Sequence, residues 1–393
     1  MNVCAVIAEY NPFHNGHLYH LKKAKEITDA DHVVVIMSGD YVQRGEPALF
    51  DKYTRAKCAL LAGTDLVIEL PVCFSTAAAP LFAEAAVSIL NSLGVVDCLC
   101  FGSECADIKK IESAAGKALK ADNHFDEAVR DGLKEGLTYP AAVSRAEPGS
   151  RLDPNDILAK EYVRALIRSG SAIKPFPVKR IGSQYNDEET GENFPSALSI
   201  RKAVMRGDDC ARFMPDFAQN LITSSGERPL FPDDFSRAAG QVLLTADKND
   251  LIRIADITES LANKIINRRS DFKNLEEFAF DLKTKDITLA HVKRALIHTL
   301  LGIDDDLVLN GLKSGLYVRI LGLKKGTPLL SRIKRESSIP VISKLSDGFD
   351  SLSGIQREVL SKNIEADSIR RMVYMNKYGV SIPTEFESNI VTV

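Results

Sequence analysis

The run Val3-Cys4-Ala5-Val6-Ile7-Ala8-Glu9-Tyr10-Asn11-Pro12-Phe13-His14-Asn15-Gly16-His17-Leu18-Tyr19-His20 decides the reading of this chain. Its first six residues are an apolar stretch of strand length, and Leu18, Leu21 and Ala24 then recur at helical spacing with lysines between them. His14 and His17 therefore fall at a strand-to-helix turn. Such a turn offers unpaired backbone N–H groups and the positive end of a helix dipole to an anion. Gly16 would let a phosphate or base come close to the backbone, and two imidazoles three residues apart on the first helical turn face the same way. They suit stabilisation of a triphosphate as pyrophosphate departs, which makes His14 and His17 the candidate catalytic residues. His-x-x-His is also a zinc pattern, yet no Cys pair or His-Glu-x-x-His completes one. Two histidines that merely cap and pack a helix are the plain alternative.

The remaining first half alternates apolar strands and helices. His32–Gly39, Asp65–Pro71 and Cys98–Ser103 read as strands, with helices near Lys52–Ala62 and Pro80–Leu93. Strands apolar throughout and separated by helices predict an α/β fold with a doubly wound parallel sheet. Ligands of such sheets lie beyond the carboxyl ends of the strands, which gathers the His14/His17 turn, Ser38-Gly39-Asp40, Glu69 and Gly102-Ser103 around one crevice. No phosphate-loop or dinucleotide glycine pattern occurs. Glu69, at a strand end, needs a partner, and a basic side chain is as good a candidate as a catalytic role.

With 393 residues, 45% of them hydrophobic and 26% charged, the chain has room for two or three domains. A Ser/Gly/Pro cluster at 224–229 predicts a boundary, giving 1–225 as a nucleotide-binding catalytic domain and 226–393 as a mostly helical one. Helical spacing recurs at 251–255, 261–266, 275–282 and 289–301. No apolar run reaches membrane-spanning length, and the seven cysteines form no Cys-x-x-Cys pair, so the expected setting is the cytoplasm with no membrane partner. A net charge of −3 excludes coating of nucleic acid by bulk charge. The basic residues are nevertheless uneven. Lys264, Arg268, Arg269, Lys293 and Arg294 sit on two helices, and residues 313–335 carry seven basic side chains without an acid, as a phosphate-backbone contact requires. Tyr317, Phe349, Tyr374 and Tyr378 are candidates for base stacking, with core packing the commoner role. Arg44, in a Gly-containing loop just past a strand end, is a further candidate RNA contact.

Glu9–His17, Met37-Ser38-Gly39 with Gln43–Ala48, Asp65–Pro71 and Phe101–Glu104 together resemble the bacterial tRNA(Met) cytidine acetate ligase family, within the nucleotidylyl transferases that share a His-x-Gly-His motif. The likeness continues through Pro154–Leu158, Arg180-Ile181, Ser199–Ala203 and, more weakly, Tyr317–Gly322. It implies a HUP-like catalytic domain followed by a helical tRNA-binding domain. It also implies ATP, with Mg2+, activating acetate as acetyl-adenylate, and transfer of the acetyl group to N4 of the wobble cytidine of elongator tRNA(Met). The ATP contacts it implies are Ile7, Ala8, Glu9, Tyr10, Asn11, Pro12, Phe13, His14, Asn15, Gly16, His17, Leu18, Tyr19, His20, Gly102, Asn155, Arg180, Ser199 and Arg201. Ser199 and Arg201 occupy the place of the superfamily's second phosphate motif, where a Ser-capped helix is the plain alternative. Two departures stand out, Asp156 in place of Asn and Leu198 in place of Thr: the first brings a negative charge toward the phosphates and the second removes a hydroxyl donor. The competing readings are a nucleotidylyl transferase acting on a small phosphate ester and a non-catalytic, nucleotide-switched RNA-binding protein. Oligomeric state is not readable from the chain.

Overall fold

The computed structural model describes residues 1–121, 153–181, 195–352 and 354–393. Its strands are β1 (Val3–Ala8), β2 (His32–Ser38), β3 (Tyr41–Val42), β4 (Glu46–Pro47), β5 (Leu66–Leu70), β6 (Cys98–Ser103), β7 (Lys174–Lys179), β8 (Val318–Leu323), β9 (Val341–Ile342) and β10 (Val391–Thr392). One sheet runs in the order β10-β8-β5-β2-β1-β6-β7, with β9 beside β8, while β3 and β4 form a separate antiparallel hairpin. From β5 to β7 every pairing is parallel, as the sequence pattern predicts. The cause is visible residue by residue. In β1, Val3 and Ala5 enter one core and Cys4 and Val6 the other, and in β2 Val34 and Ile36 part from Val33, Val35 and Met37 in the same way. Both faces are covered, so period-2 alternation places apolar side chains on each.

The helices that matter to the site are α1 (Asn15–Thr28), α2 (Lys52–Leu61), α3 (Ala79–Ser92), α4 (Pro154–Arg168), α5 (Ala197–Arg206), α6 (Leu289–Leu301) and α7 (Gly354–Tyr378). Helices at Glu259–Arg268, Leu275–Leu282 and Leu289–Leu301 agree with the periodic stretches in the C-terminal part. That part also does something the periodicity does not announce. β8 pairs antiparallel with β5, setting Glu69 opposite Arg319, and β10 extends the edge beyond it. Apolar side chains of the helices after residue 226, among them Leu261, Phe278 and Leu296, share one continuous core with Val34, Ile68 and Phe82 of the sheet. Beyond residue 225 the chain therefore completes the nucleotide-domain sheet as well as forming a bundle.

A buried charge cluster clamps the two parts together. Lys52, 1% exposed, places its Nζ 3.0 Å from Glu69, 3.0 Å from Glu385 and 3.7 Å from Asp40. Arg319 joins Glu385 at 3.4 Å and Arg370 of α7 joins Asp40 at 3.4 Å. Burial and the neighbouring acids push the Glu69 carboxyl above its usual range, against the pull of Lys52. Glu69 is thus partnered by a basic side chain, the structural reading of the two that its sequence position allows.

Removing the shared cation leaves the buried Glu69 without its ion-pair partner and takes one partner each from Glu385 and Asp40, so Lys52→Ala is expected to cost about 3–5 kcal/mol in equilibrium denaturation. A loss below about 1 kcal/mol would mean that water already screens the cluster.

Candidate active site

The turn after β1 is built from its own side chains. His14 is the N-cap of α1, and its Nδ1 accepts the Gly16 N–H at 3.0 Å. His17 Nδ1 accepts the His14 N–H at 3.3 Å, closing a reciprocal capping box made of two imidazoles. The rings stack with centroids 3.7 Å apart. Gly16 serves this fold first: a Cβ there would come within 2.8 Å of His14 Cε1, so any larger residue would drive the ring off the helix end. Tyr10, at φ +50°, packs edge-on against both Phe13 and His17.

An Nδ1 that accepts a hydrogen bond carries no proton, so both imidazoles are neutral and hold their hydrogen on Nε2. The electrostatics agree. Burial, together with Arg180 and Arg201, pulls His14 down to about 3, burial with the neighbouring His14, His20 and Arg180 holds His17 well below its ordinary value, and burial with Arg180 brings His20 down to about 4. A helix N-terminus and two Nε2–H donors then converge on one place with no formal charge on the rings.

Beside the turn lies a cavity of about 220 Å3. Of the residues expected at the ATP site, Ile7, Ala8, Glu9, Tyr10, His14, Gly16, His17, Tyr19, His20, Gly102, Asn155, Arg180 and Arg201 line it, and so does Arg44. Asn11, Pro12, Phe13, Asn15, Leu18 and Ser199 do not. Asn11 instead anchors the turn, its Oδ1 taking the Leu49 N–H at 2.8 Å and its carbonyl taking Arg201 Nη1 at 2.8 Å. Asn15 reaches away to the Arg212 carbonyl, Phe13 and Leu18 fill the core, and the fully buried Ser199 hydroxyl donates to the Ser196 carbonyl. Ser196, the N-cap of α5, lines the cavity in its stead, together with Leu198.

At the far wall, Arg180 Nη1 lies 3.5 Å from Asn155 Oδ1, and Asn155 donates to Glu104. Lys179 beside them escaped the sequence reading, although an exposed basic residue at a strand end next to Arg180 was the available signal. Phe82, Phe101, Leu158 and Tyr162 add an apolar wall, and nothing in their spacing distinguishes them from core. A Cβ on Gly102 would meet Arg180 at an ordinary 3.5 Å, so the protein alone does not require glycine there. Asp156 is turned away from the cavity. It is 2% exposed and accepts from the Ser103 hydroxyl and from the N–H groups of Glu104 and Cys105, so its charge holds the loop after β6. Among the described lining residues Glu9 is the one carboxylate, and among all described residues no group of three or more His, Cys, Asp or Glu side chains forms a metal cluster.

The basic residues expected to meet RNA divide. Lys264 and Arg269 cap helix ends, at the Leu282 carbonyl and at the Leu243 and Ala246 carbonyls, Arg294 pairs with Asp256 at 2.9 Å, and Lys293 is paired twice. Arg268 is exposed. In the acid-free stretch Arg319 is buried, whereas Lys313, Lys324, Lys325, Lys334 and Arg335 are exposed. Tyr317 and Tyr374 are core residues, and the exposed aromatics beyond residue 225 include Phe280, with Lys283 Nζ 3.9 Å from its ring centre, and Phe386.

Residues 1–381 match the family model described as HIGH Nucleotidyl Transferase. A tRNA(Met) cytidine acetate ligase of Thermoanaerobacter sp. (strain X514) is 38% identical, the match covering 96% of each chain, and one of Clostridium perfringens (strain ATCC 13124) is 40% identical over 88% of this chain and 90% of its own. The chain belongs to the tRNA(Met) cytidine acetate ligase family within the HIGH nucleotidyl transferases. Crystal structures of Thermotoga maritima TmcAL superpose along the full length of both chains at 26% identity, with TM-scores of 0.93 for the apo form and 0.90 for a form bound to α-thio ATP.

Because the folded protein takes up protons on His14 and His20 only near 3 and 4, while the unfolded chain does so near 6.5, the unfolded state binds more protons between these values. The stability tied to the neutral rings is complete above pH 6.5 and is lost as pH falls below it. In ATP-free protein the His14 and His20 ring proton resonances are expected to hold their neutral positions down to about pH 5, and a midpoint near 6.5 would contradict the caps.

Proposed function

We propose that this protein is an ATP-dependent tRNA(Met) cytidine acetate ligase. The observation that carries the reading is the pair of neutral, capped imidazoles at the mouth of a cavity whose other wall bears Arg180, Arg201 and Lys179. ATP would lie with its triphosphate over the N-terminus of α1 and its adenosine along Gly102 and the apolar wall. An acetate oxygen attacks the α-phosphorus, the bond to pyrophosphate breaks, and acetyl-adenylate forms. The Nε2–H groups of His14 and His17, with the guanidinium groups, stabilise the charge that gathers on the phosphates. N4 of the wobble cytidine then attacks the acetyl carbon, loses a proton, and AMP leaves. Glu9, the one described carboxylate at the cavity, is the side chain that would hold Mg2+, which when bound would neutralise charge on the phosphates.

The helical part supplies the RNA surface in this reading. Arg268 and the exposed lysines at 313, 324, 325 and 334 suit phosphates, and Phe280 under Lys283 suits a stacked base. Lys264, Arg269, Lys293 and Arg294 act on the protein's own carbonyls and carboxylates. A dinucleotide-forming transferase leaves this basic surface without a purpose.

Acetate-dependent exchange of labelled pyrophosphate into ATP tests the first step, and bulk tRNA checked for N4-acetylcytidine tests the second. His17→Ala is expected to keep the fold and to lower exchange by about 10²-fold or more, the scale of losing one preorganised donor. Normal exchange by that variant would sink the assignment. Arg268→Ala is expected to spare exchange, weaken tRNA binding and reduce its salt dependence by about one phosphate contact.

A further inference from the structure

Lys293 lies on α6 in the C-terminal half, and the charge pattern of the sequence makes it an RNA contact. Its surroundings assign it elsewhere. The side chain is 14% exposed, and its Nζ sits 2.8 Å from Glu46 Oε1 and 2.7 Å from Glu276 Oε1. The second oxygen of Glu46 faces Arg201 Nη2 at 3.4 Å, while Arg201 Nη1 holds the Asn11 carbonyl at 2.8 Å inside the His14 turn. Glu46 is itself 11% exposed at its side chain. Burial alone would raise its carboxyl, and Arg201 and Lys293 outweigh burial to keep it charged. The backbone carries the same connection. Gly45, at φ +68°, closes the β3–β4 hairpin directly on α6, where a Cβ would come within 2.4 Å of the Lys293 carbonyl carbon and the Arg294 nitrogen. The adjoining Arg44 lines the cavity.

We infer that Lys293 is a positioning residue for the ATP site: by sharing Glu46 with Arg201 it keeps that carboxylate from drawing the guanidinium out of the cavity, so that Arg201 presents its remaining donors to the triphosphate. One buried carboxylate between two cations divides its attraction. Take Lys293 away and more of the charge of Glu46 falls on Arg201, with Arg44 the other cation acting on it, shortening the loose 3.4 Å contact at the expense of the ligand. The inference rests on the triphosphate lying in this cavity, as proposed above, and not on the identity of the carboxylate or the RNA.

Direct titration of ATP into the full-length protein without RNA separates the possibilities. Lys293→Met is expected to weaken ATP binding about tenfold, the order of one lost charge-assisted hydrogen bond. Glu46→Gln combined with Lys293→Met is expected to restore it to within about twofold of the original, because the defect arises from the uncompensated carboxylate. ATP affinity of Lys293→Met unchanged while tRNA affinity falls would make Lys293 an RNA contact and overturn the inference. Equal weakening in the single and double variants would make it a packing prop, which also overturns it. Failure of pyrophosphate exchange in the unaltered protein, with ATP binding intact, would count against the ligase reading alone.

Discussion

The first turn of α1 can be capped by His14 only while that imidazole is neutral. Nδ1 must keep a lone pair to accept the Gly16 N–H, and His17 must do the same for the His14 N–H. Once both Nδ1 atoms are committed to backbone, each ring has a single Nε2–H left, and the tautomer is set by the helix rather than by a ligand. The Gly between the histidines follows from this arrangement, since a Cβ there would collide with the ring. Two uncharged donors beside a helix N-terminus cost less to bury than two imidazolium ions would and become most useful when charge arrives from outside.

The C-terminal half participates in this arrangement through covalently distant but physically continuous contacts. β8 lies against β5, Glu385 and Arg319 enclose Lys52, and Arg370 reaches Asp40 just beyond the end of β2. Arg55 of α2 ties the same corner together by donating to the carbonyls of Glu9, Ser38 and Gly39. The ends of β1 and β2 are therefore held by side chains from both halves, and the cavity opens at the end of β1 with those of β6 and β7. The C-terminal helices and the turn after β1 are thereby fixed relative to one another, as the proposed transfer between a nucleotide site and an RNA surface requires.

Four strands of the parallel core, β1, β2, β5 and β6, were legible because each is apolar on both faces and short, and because glycine and proline punctuate the intervals; β7, Lys-Pro-Phe-Pro-Val-Lys with both ends exposed, was not. The His14/His17 turn was legible because backbone anion sites need few residue types. β8 and β10 were not. Val318–Leu323 includes Arg319 and Gly322, which read as breaks in a strand until Glu385, from a segment 66 residues on, supplies the buried partner. The roles of Asn11, Ser199 and Asp156 were hidden for a related reason: a motif shows that a polar side chain is needed near a turn, not whether it faces the ligand or the loop that shapes the site. Lys293 and Arg269 show the same ambiguity, because a basic residue on a helix looks alike in sequence whether it meets RNA or a carboxylate or carbonyl of its own chain.

The central claim, that the capped imidazoles serve an acetyl-adenylate, is tested most directly by following oxygen. Protein, ATP, tRNA(Met) and acetate labelled with 18O in both carboxyl oxygens are incubated, and the AMP is analysed by mass spectrometry. Attack of acetate on the α-phosphorus followed by transfer of the acetyl group predicts one 18O atom in the phosphate of each AMP, in step with N4-acetylcytidine formed. Unlabelled AMP, or ADP and phosphate in its place, would contradict the account.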